Sequence, residues 1–399
     1  MTRIILASPI PPMKTGTARY LGLFIGEGGA TLKSREAFIV TPSGFAEVDK
    51  TYMGLPVITD KQYSPQADDV VVAFFANNRF HQFAYPLINK RKKWKKLISV
   101  LHDPQCFMNV ESMHWSPSTG CDTEALYEHI RHEMPTLHRW TLEKWSQYKL
   151  PSIMKYNLIA QSKVLPISDS IVVHSYYAGL KLSLESAHGV SLPEIVVMQH
   201  PRDTEVISTN VKAEKFSVGC FGWISQAKRP LSVIEGFGRF FSGLPEDARK
   251  SVQLKFVGEL SEKSLDPLFW SKAYGFPSNC VHLGHVSDQV FSQEMASTNL
   301  VFNLRFPSCG ESSGALNLAS DLGVKIALSS YQAFREETAD YLIKLDPKQE
   351  VNDIVAAITK EYKNWLNKND GLPNRRKAQY PTPRKFDVPD AISYLLEDV

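Results

Sequence analysis

Short apolar runs alternate with longer stretches of helical spacing along most of this chain. Residues 3–7, 70–75, 97–101 and 171–173 each read as a buried strand, being apolar runs too short for a helix. After the first of them, Tyr20, Leu21, Phe24 and Ile25 fall at helical spacing between residues 17 and 25. A second series begins at residue 217, with strands at 217–222, 252–257, 280–283, 300–304 and 325–329. Helical patterns follow at 231–241, 315–322 and 388–396. Strand alternating with helix in two successive series predicts an α/β protein of two doubly wound domains, each on a mainly parallel sheet. The predicted layout is an N-terminal domain over 1–200, a linker over 201–216, a C-terminal domain over 217–380, and a terminal helical segment over 381–399 placed to pack back on the first domain. The linker reading rests on residues 191–215, where the pattern lapses into Pro, Asp, Thr and Asn. No internal repeat is visible beyond the alternation itself.

Length supports the division, since 399 residues exceed what one compact core organises. A net charge of +3 argues against a dedicated nucleic-acid binder. The five cysteines are scattered without metal-site spacing, which fits reduced thiols in a cytosolic enzyme. No apolar run reaches the roughly 18–20 residues of a membrane span. The first residues read as a strand rather than a signal peptide. A cytoplasmic protein is therefore expected, with one qualification at Lys90–Lys96, which reads KRKKWKK. That run is either a solvated turn or a Trp94-bearing patch for peripheral contact with an anionic membrane face.

The densest chemistry lies between Leu300 and Glu337. A strand is followed by Arg305, a Pro307-Ser308 turn, and Gly310-Glu311-Ser312-Ser313-Gly314, which opens an Ala/Leu-rich helix at about Ala315. A helix N-terminus offers free N–H groups and the positive end of a dipole, suited to an anion. Arg305 adds a planar fork for phosphate. Glu311 is awkward beside phosphate but well suited to a sugar hydroxyl. An ordinary βαβ crossover would show the same pattern. Elsewhere the strand ends again carry polar groups. The first strand runs through a Pro-rich loop to Gly16, where backbone can be approached closely. Others end in Asn77-Asn78 with His81 just beyond, in His102-Asp103, and in His174. In open α/β sheets the ligand crevice lies outside such ends. Residues 107–164, rich in Trp, His, Tyr and Met, read as helices and a long loop lining an acceptor cleft.

Several stretches, taken in order, resemble one family. Ser8-Pro9-Ile10-Pro11-Pro12 with Thr15-Gly16-Thr17 looks like the N-terminal phosphate/sugar loop of GT-B-fold retaining glycosyltransferases of family 4. Asn77-Asn78 through His81, then His102-Asp103, look like a subgroup active on polysaccharides and O-antigens. Phe221-Gly222-Trp223 through Lys228-Arg229-Pro230 resembles the loop carrying the donor-phosphate lysine. Arg305 with Gly310-Glu311-Ser312-Ser313-Gly314 resembles the subgroup's donor loop. Glu336 falls where that subgroup often shows Glu-Leu-Pro.

The resemblance implies two Rossmann-like domains facing across a cleft, and a retaining transfer of a hexose or deoxyhexose from a GDP- or UDP-sugar to a glycan or lipid-linked oligosaccharide. It implies no metal or other cofactor. Lys228 and Arg305 would hold the diphosphate, Glu311 the sugar or ribose, and His102 the donor sugar near the reaction centre. Gly16, Thr17, Gly222, Arg229, Ser312, Ser313, Gly314 and Ala315 would line the donor. Gly284, His285 and Val286 would meet the nucleobase. Asn78, His81, Asp103 and Arg19 would face the acceptor. Three departures bear on this. Trp223 stands where many members have Arg. The second Glu of the E-x7-E pattern is replaced by Leu318 or Ala319. Arg19 stands where the subgroup commonly has Asp. An inverting GT-B transferase, a sugar-phosphate epimerase, and a degenerate transferase acting as a glycan-binding or scaffolding subunit are the alternatives.

Overall fold

The computed structural model describes residues 2–45, 49–118, 120–130, 156, 158–202, 214–367 and 386–397. The chain forms two compact units. The first comprises Met1–Arg202, Cys309–Ser312 and Pro383–Val399, and the second Asp203–Ser308 and Ser313–Thr382.

The first unit is built on β1 (Arg3–Ala7), β2 (Glu36–Thr41), β3 (Thr51–Tyr52), β4 (Leu55–Thr59), β5 (Asp69–Phe75), β6 (Lys96–Leu101), β7 (Ser170–Val173) and β8 (Glu194–Val197). Their order across the sheet is β8-β7-β6-β5-β1-β2-β4-β3. All pairings are parallel except that of β3 with β4. Every residue of β5 is buried, as expected of a parallel strand covered on both faces. Helix α1 (Gly16–Lys33) covers one face with Tyr20, Leu21, Phe24 and Ile25, so the helical spacing in the sequence marked its inner side. The same layer takes in the terminal helix, Val388–Leu395, through Val388, Ile392 and Leu395. Gly28 of α1 lies so close to Ile392 that a methyl group there would strike it.

The second unit holds β9 (Phe216–Phe221), β10 (Val252–Val257), β11 (Cys280–His282), β12 (Leu300–Asn303), β13 (Lys325–Ser329) and β14 (Tyr341–Ile343). They are parallel throughout, in the order β11-β10-β9-β12-β13-β14. Helices α2 (Pro230–Ser242), α3 (Gly314–Asp321) and α4 (Glu350–Leu366) flank the sheet. A side chain at Gly236 of α2 would meet Ile354 of α4, so these two helices approach through a glycine. In each sheet the chain builds outward from a central strand and then crosses to its other side. The switch points therefore lie between β1 and β5, and between β9 and β12.

The two doubly wound α/β sheets expected from the alternation are present. Three local readings differ from the structure. Glu194–Val197, inside the stretch read as irregular, is the edge strand β8, paired with β7. The strands β2 and β4 carry no clean signal amid Pro, Gly and charged residues. Trp94 is buried in the core beside Tyr63 and is not available to a membrane. Arg91 of the same run is held by Asp169, and the Lys96 ammonium donates to the Leu395 carbonyl at 2.8 Å. The amphipathic-patch reading of Lys90–Lys96 thus loses its apolar half. Of the stretch 107–164, Phe107–Met113 and Thr123–Ile130 are helical. Residues 131–155, most of the 201–216 linker, and 368–385 lie outside the described residues.

Candidate functional site

At the switch point of the second sheet, β9 ends at Phe221 and the chain turns through Gly222 at φ +84°. The Gly222 N–H donates back to Val257 at 2.8 Å. Gly258, at the end of the neighbouring β10, has φ +141°, and a side chain on it would strike the Gly222 carbonyl. Two glycines therefore let two strand ends meet without side chains between them. The chain then passes exposed Trp223 into a short 3-10 turn, Gln226–Lys228. Its last residue sends the Lys228 ammonium back to donate to the Phe221 carbonyl. On the other side of the switch, β12 delivers Arg305. The Arg305 N–H donates to Ser329 Oγ at 2.9 Å, and its guanidinium donates to the Leu304 carbonyl at 2.9 Å and lies over the Phe334 ring. The Phe306 N–H donates to the Ala227 carbonyl at 2.7 Å, tying the Arg305 segment to the lysine turn. Both cations also act on one buried thiol: burial pushes Cys220 up to about 12, while Lys228 and Arg305 pull it the other way. Two positive side chains thus converge outside the carboxyl ends of the two central strands.

Ser313 caps α3, accepting from the Leu316 N–H at 3.4 Å and donating to Asn303 Oδ1 at 3.1 Å. Its hydroxyl is thereby a helix cap. Gly314 is exposed at the start of α3, with Ala315 next to it. The loop of Gly284, His285 and Val286 leaves β11 two strands away, with Gly284 at φ +62° and open space around it. Its root is fixed by a 2.9 Å bond between His282 Nε2 and the Gly258 carbonyl. Arg229, the next residue after Lys228, has a partner within the second unit. Its guanidinium makes two bonds to Glu350, at 2.9 and 2.5 Å, and that carboxylate is buried. The fork is therefore engaged with Glu350 while its side chain stays about one-third exposed.

Within the first unit, Gly16 opens α1 with open space around its Cα and no acidic residue in the first turn. Arg19 lies on the same helix, half-buried. The Thr17 hydroxyl lies 2.8 Å from His81 Nε2 and 2.9 Å from the Thr15 hydroxyl. His81 is fully buried, with Nδ1 on the Phe74 carbonyl at 2.7 Å. Both ring nitrogens are thus occupied, and His81 ties the end of β5 to the first turn of α1. Burial pushes it down to about 4. Asn78 accepts the Phe80 N–H and so caps a short 3-10 turn. Asp103 accepts the Asn77 N–H at 2.6 Å, and the Asn77 amide donates to Cys309 Sγ at 3.2 Å. Glu311 accepts the Cys309 N–H at 2.7 Å. Cys309–Ser312 belong to this first unit, whereas Ser313–Ala315 belong to the second, so the stretch read as one loop is divided.

His102 meets Tyr20 edge-on at 4.2 Å, and Tyr20 also touches His174 and His200. His102 Nε2 and the Tyr20 hydroxyl are buried without a hydrogen-bond partner. Burial, reinforced by the other histidines, pushes His102 well down, so its ring is neutral. His200 was missed in the sequence, and Tyr20 was read there only as an apolar position at helical spacing. The signal was there in outline, since β6, β7 and β8 are each followed within three residues by a histidine. Among the described residues no group of three or more His, Cys, Asp and Glu is set to hold a metal. Nor is any helix among them long and apolar enough to cross a membrane.

No family model matches the chain, and no curated protein matches it. Solved structures do. HepE of Anabaena, determined with UDP, shares 14% identity at a TM-score of 0.57, covering 100% of both chains. Sucrose-phosphate synthase from Thermosynechococcus elongatus shares 14% at 0.56, covering 93% of this chain and 91% of its own. The lipopolysaccharide outer core galactosyltransferase WaaB, in its apo form, shares 12% at 0.52 over 100% of both chains. At these identities the likeness establishes the fold, the two-sheet GT-B architecture.

Proposed function

We propose that this chain is a retaining glycosyltransferase that takes a hexose or deoxyhexose from a nucleoside-diphosphate sugar and passes it to a growing glycan. The observation that carries the reading is the convergence of Lys228 and Arg305 at the switch point of the second sheet. Two cations there suit a diphosphate better than any neutral ligand. The fold shared with HepE, solved with UDP, and with the galactosyltransferase WaaB agrees in ligand class and in reaction class. UDP is accordingly favoured over GDP.

In this reading Lys228 and Arg305 neutralise the departing diphosphate, where negative charge grows as the sugar–oxygen bond breaks. The N-terminus of α3, beginning at exposed Gly314, adds its dipole. The Gly284–Val286 loop meets the base. Retention follows if the acceptor oxygen bonds the anomeric carbon from the leaving-group face, its proton passing to the departing phosphate oxygen. No metal takes part, and the acceptor is a polysaccharide or lipid-linked oligosaccharide. The test is a thermal-shift series with UDP, GDP, dTDP and CDP, with and without magnesium. A rise in melting temperature with one nucleotide, equal in EDTA, is expected by mass action. No rise with any of the four would sink the reading in favour of a binding subunit without donor chemistry.

A further inference from the structure

The feature that the proposed chemistry leaves unused is the residue directly after the lysine. Arg229 sits at φ +57° and ψ +38°, the left-handed region. For a residue with a Cβ that conformation is unfavourable and persists only where the surroundings enforce it. Here the enforcement is visible. The guanidinium makes a two-point pair with Glu350, whose side chain is 4% exposed. The Ser232 hydroxyl donates to the same carboxylate at 3.0 Å. Glu350 is the first residue of α4, the helix that approaches α2 at Gly236, so the carboxylate stands on a closely packed support.

The left-handed residue also has a geometric effect. It lies between the 3-10 turn carrying Lys228 and the first turn of α2, where Pro230 fixes the start of the helix. Its own N–H donates to Gln226 at 2.9 Å, closing the turn, and its carbonyl accepts from Val233 at 3.3 Å, opening the helix. Just before this reversal, the Lys228 ammonium reaches back to the Phe221 carbonyl, 2.8 Å from where a Gly222 side chain would begin. We infer that Arg229 is a positioning residue: the Arg229–Glu350 pair holds the chain reversal that sets Lys228 at the switch point. The inference rests on Lys228 binding the donor diphosphate. It replaces a direct donor contact by Arg229 with an indirect one.

The test is a set of UDP titrations by calorimetry on the full chain, with GDP in parallel, over wild type, Arg229→Gly, Arg229→Ala, Glu350→Gln, Lys228→Ala and the double variant Arg229→Gly/Lys228→Ala. Melting temperature is recorded for each, so that affinity is compared among folded proteins. Glycine removes the guanidinium but tolerates the left-handed turn, whereas alanine removes the guanidinium and keeps the steric objection. The expected pattern has four parts. Arg229→Gly and Glu350→Gln both weaken UDP by about tenfold, the scale of a displaced charge contact. Arg229→Ala weakens it more. Lys228→Ala weakens it strongly. Arg229→Gly has no further effect in the Lys228→Ala background, because its influence passes through that lysine. A direct contact predicts the opposite for the acid: Glu350→Gln would release the guanidinium and leave UDP binding equal or tighter. That result overturns the inference, and so does an undiminished effect of Arg229→Gly when Lys228 is already absent. Lys228→Ala binding UDP like wild type would instead remove the donor-site reading, and the positioning role with it.

Discussion

Arg305 shows how much one side chain is asked to do. Its backbone is pinned to Ser329 and its guanidinium rests against the Leu304 carbonyl and the Phe334 ring, so the fork is pre-aimed. Replacing it with alanine is expected to lower kcat/KM by a hundredfold or more, about 3 kcal/mol of lost charge stabilisation. Lysine at the same place recovers only part, lacking the planar fork. Steady-state kinetics with the nucleotide sugar identified by thermal shift check both, and wild-type rates in Arg305→Ala would remove it from the site. The histidines make a second prediction at this scale. His81 is pushed down to about 4, and His102 well below its usual range, both by burial. Unfolded histidine titrates near 6.5, so the native state binds fewer protons than the unfolded state below that pH. For His81 the stabilisation is complete above about pH 6.5 and is lost as the pH falls toward 4, at roughly 1.4 kcal/mol per pH unit, and His102 acts in the same direction. Urea unfolding followed from pH 7.5 to 4.5 is expected to show that slope. His81→Gln is expected to reduce it by one proton, whatever it does to stability at neutral pH.

Among the elements, the pairing of β1 with β5 carries its own lock at the end remote from the strand-end loops. Arg3 and Asp69 are register partners across these strands. Asp69 is wholly buried and accepts from Arg3 at 2.7 and 2.9 Å, from the Tyr63 hydroxyl at 2.7 Å and from the Gln66 N–H at 2.8 Å. Asp69→Ala strands an arginine and a buried phenol, which predicts a loss of about 3–5 kcal/mol. Because the change lies at the amino ends of the strands, the UDP affinity of the folded fraction should stay as in wild type. Urea titration and calorimetry on one preparation test the two halves of that statement. The elements also show what the sequence could reveal. β5, β6, β9 and β12 were legible because strands buried on both faces are largely apolar runs, and β10, VQLKFV, because apolar and polar residues alternate along it. β8 was not, since three apolar residues after a proline and a glutamate look like loop until a neighbouring strand supplies the pairing. Arg305 drew attention by its place after a strand, and Lys228 by the resemblance of its loop to one that carries a donor-phosphate lysine. The pairings of Arg229 and His81 were not legible, because each partner is far along the chain, Glu350 for one and Thr17 for the other. Trp94 misled for the same reason: its charged neighbours are adjacent in sequence, but its contacts are with Tyr63 and the core.

The chain as a whole builds the first sheet, then the second, and closes by returning to the first. Phe386 bridges to Met198, its N–H donating to Val197 at 3.0 Å, and Val388–Leu395 then lies along α1. Val388, Ile392, Leu395 and Leu396 cover Ile4, Phe24, Leu32, Val72 and Ile98, an apolar layer that would otherwise face water. At about 1.5–3 kcal/mol for each large apolar side chain buried, the helix contributes on the order of 5 kcal/mol or more to the first unit. A domain of ordinary stability has only about 5–15 kcal/mol in total, so the last residues decide whether the first ones stay folded. A chain ending at residue 385 is therefore expected to lose most of the stability of the first unit while the β9–β14 sheet keeps its own. Calorimetric scans should show one transition moved far down or lost and another in place, and UDP should still raise the one that remains. If both transitions instead moved together, the terminal helix would be supporting the second sheet as well, and the assignment of Pro383–Val399 to the first unit alone would have to be given up.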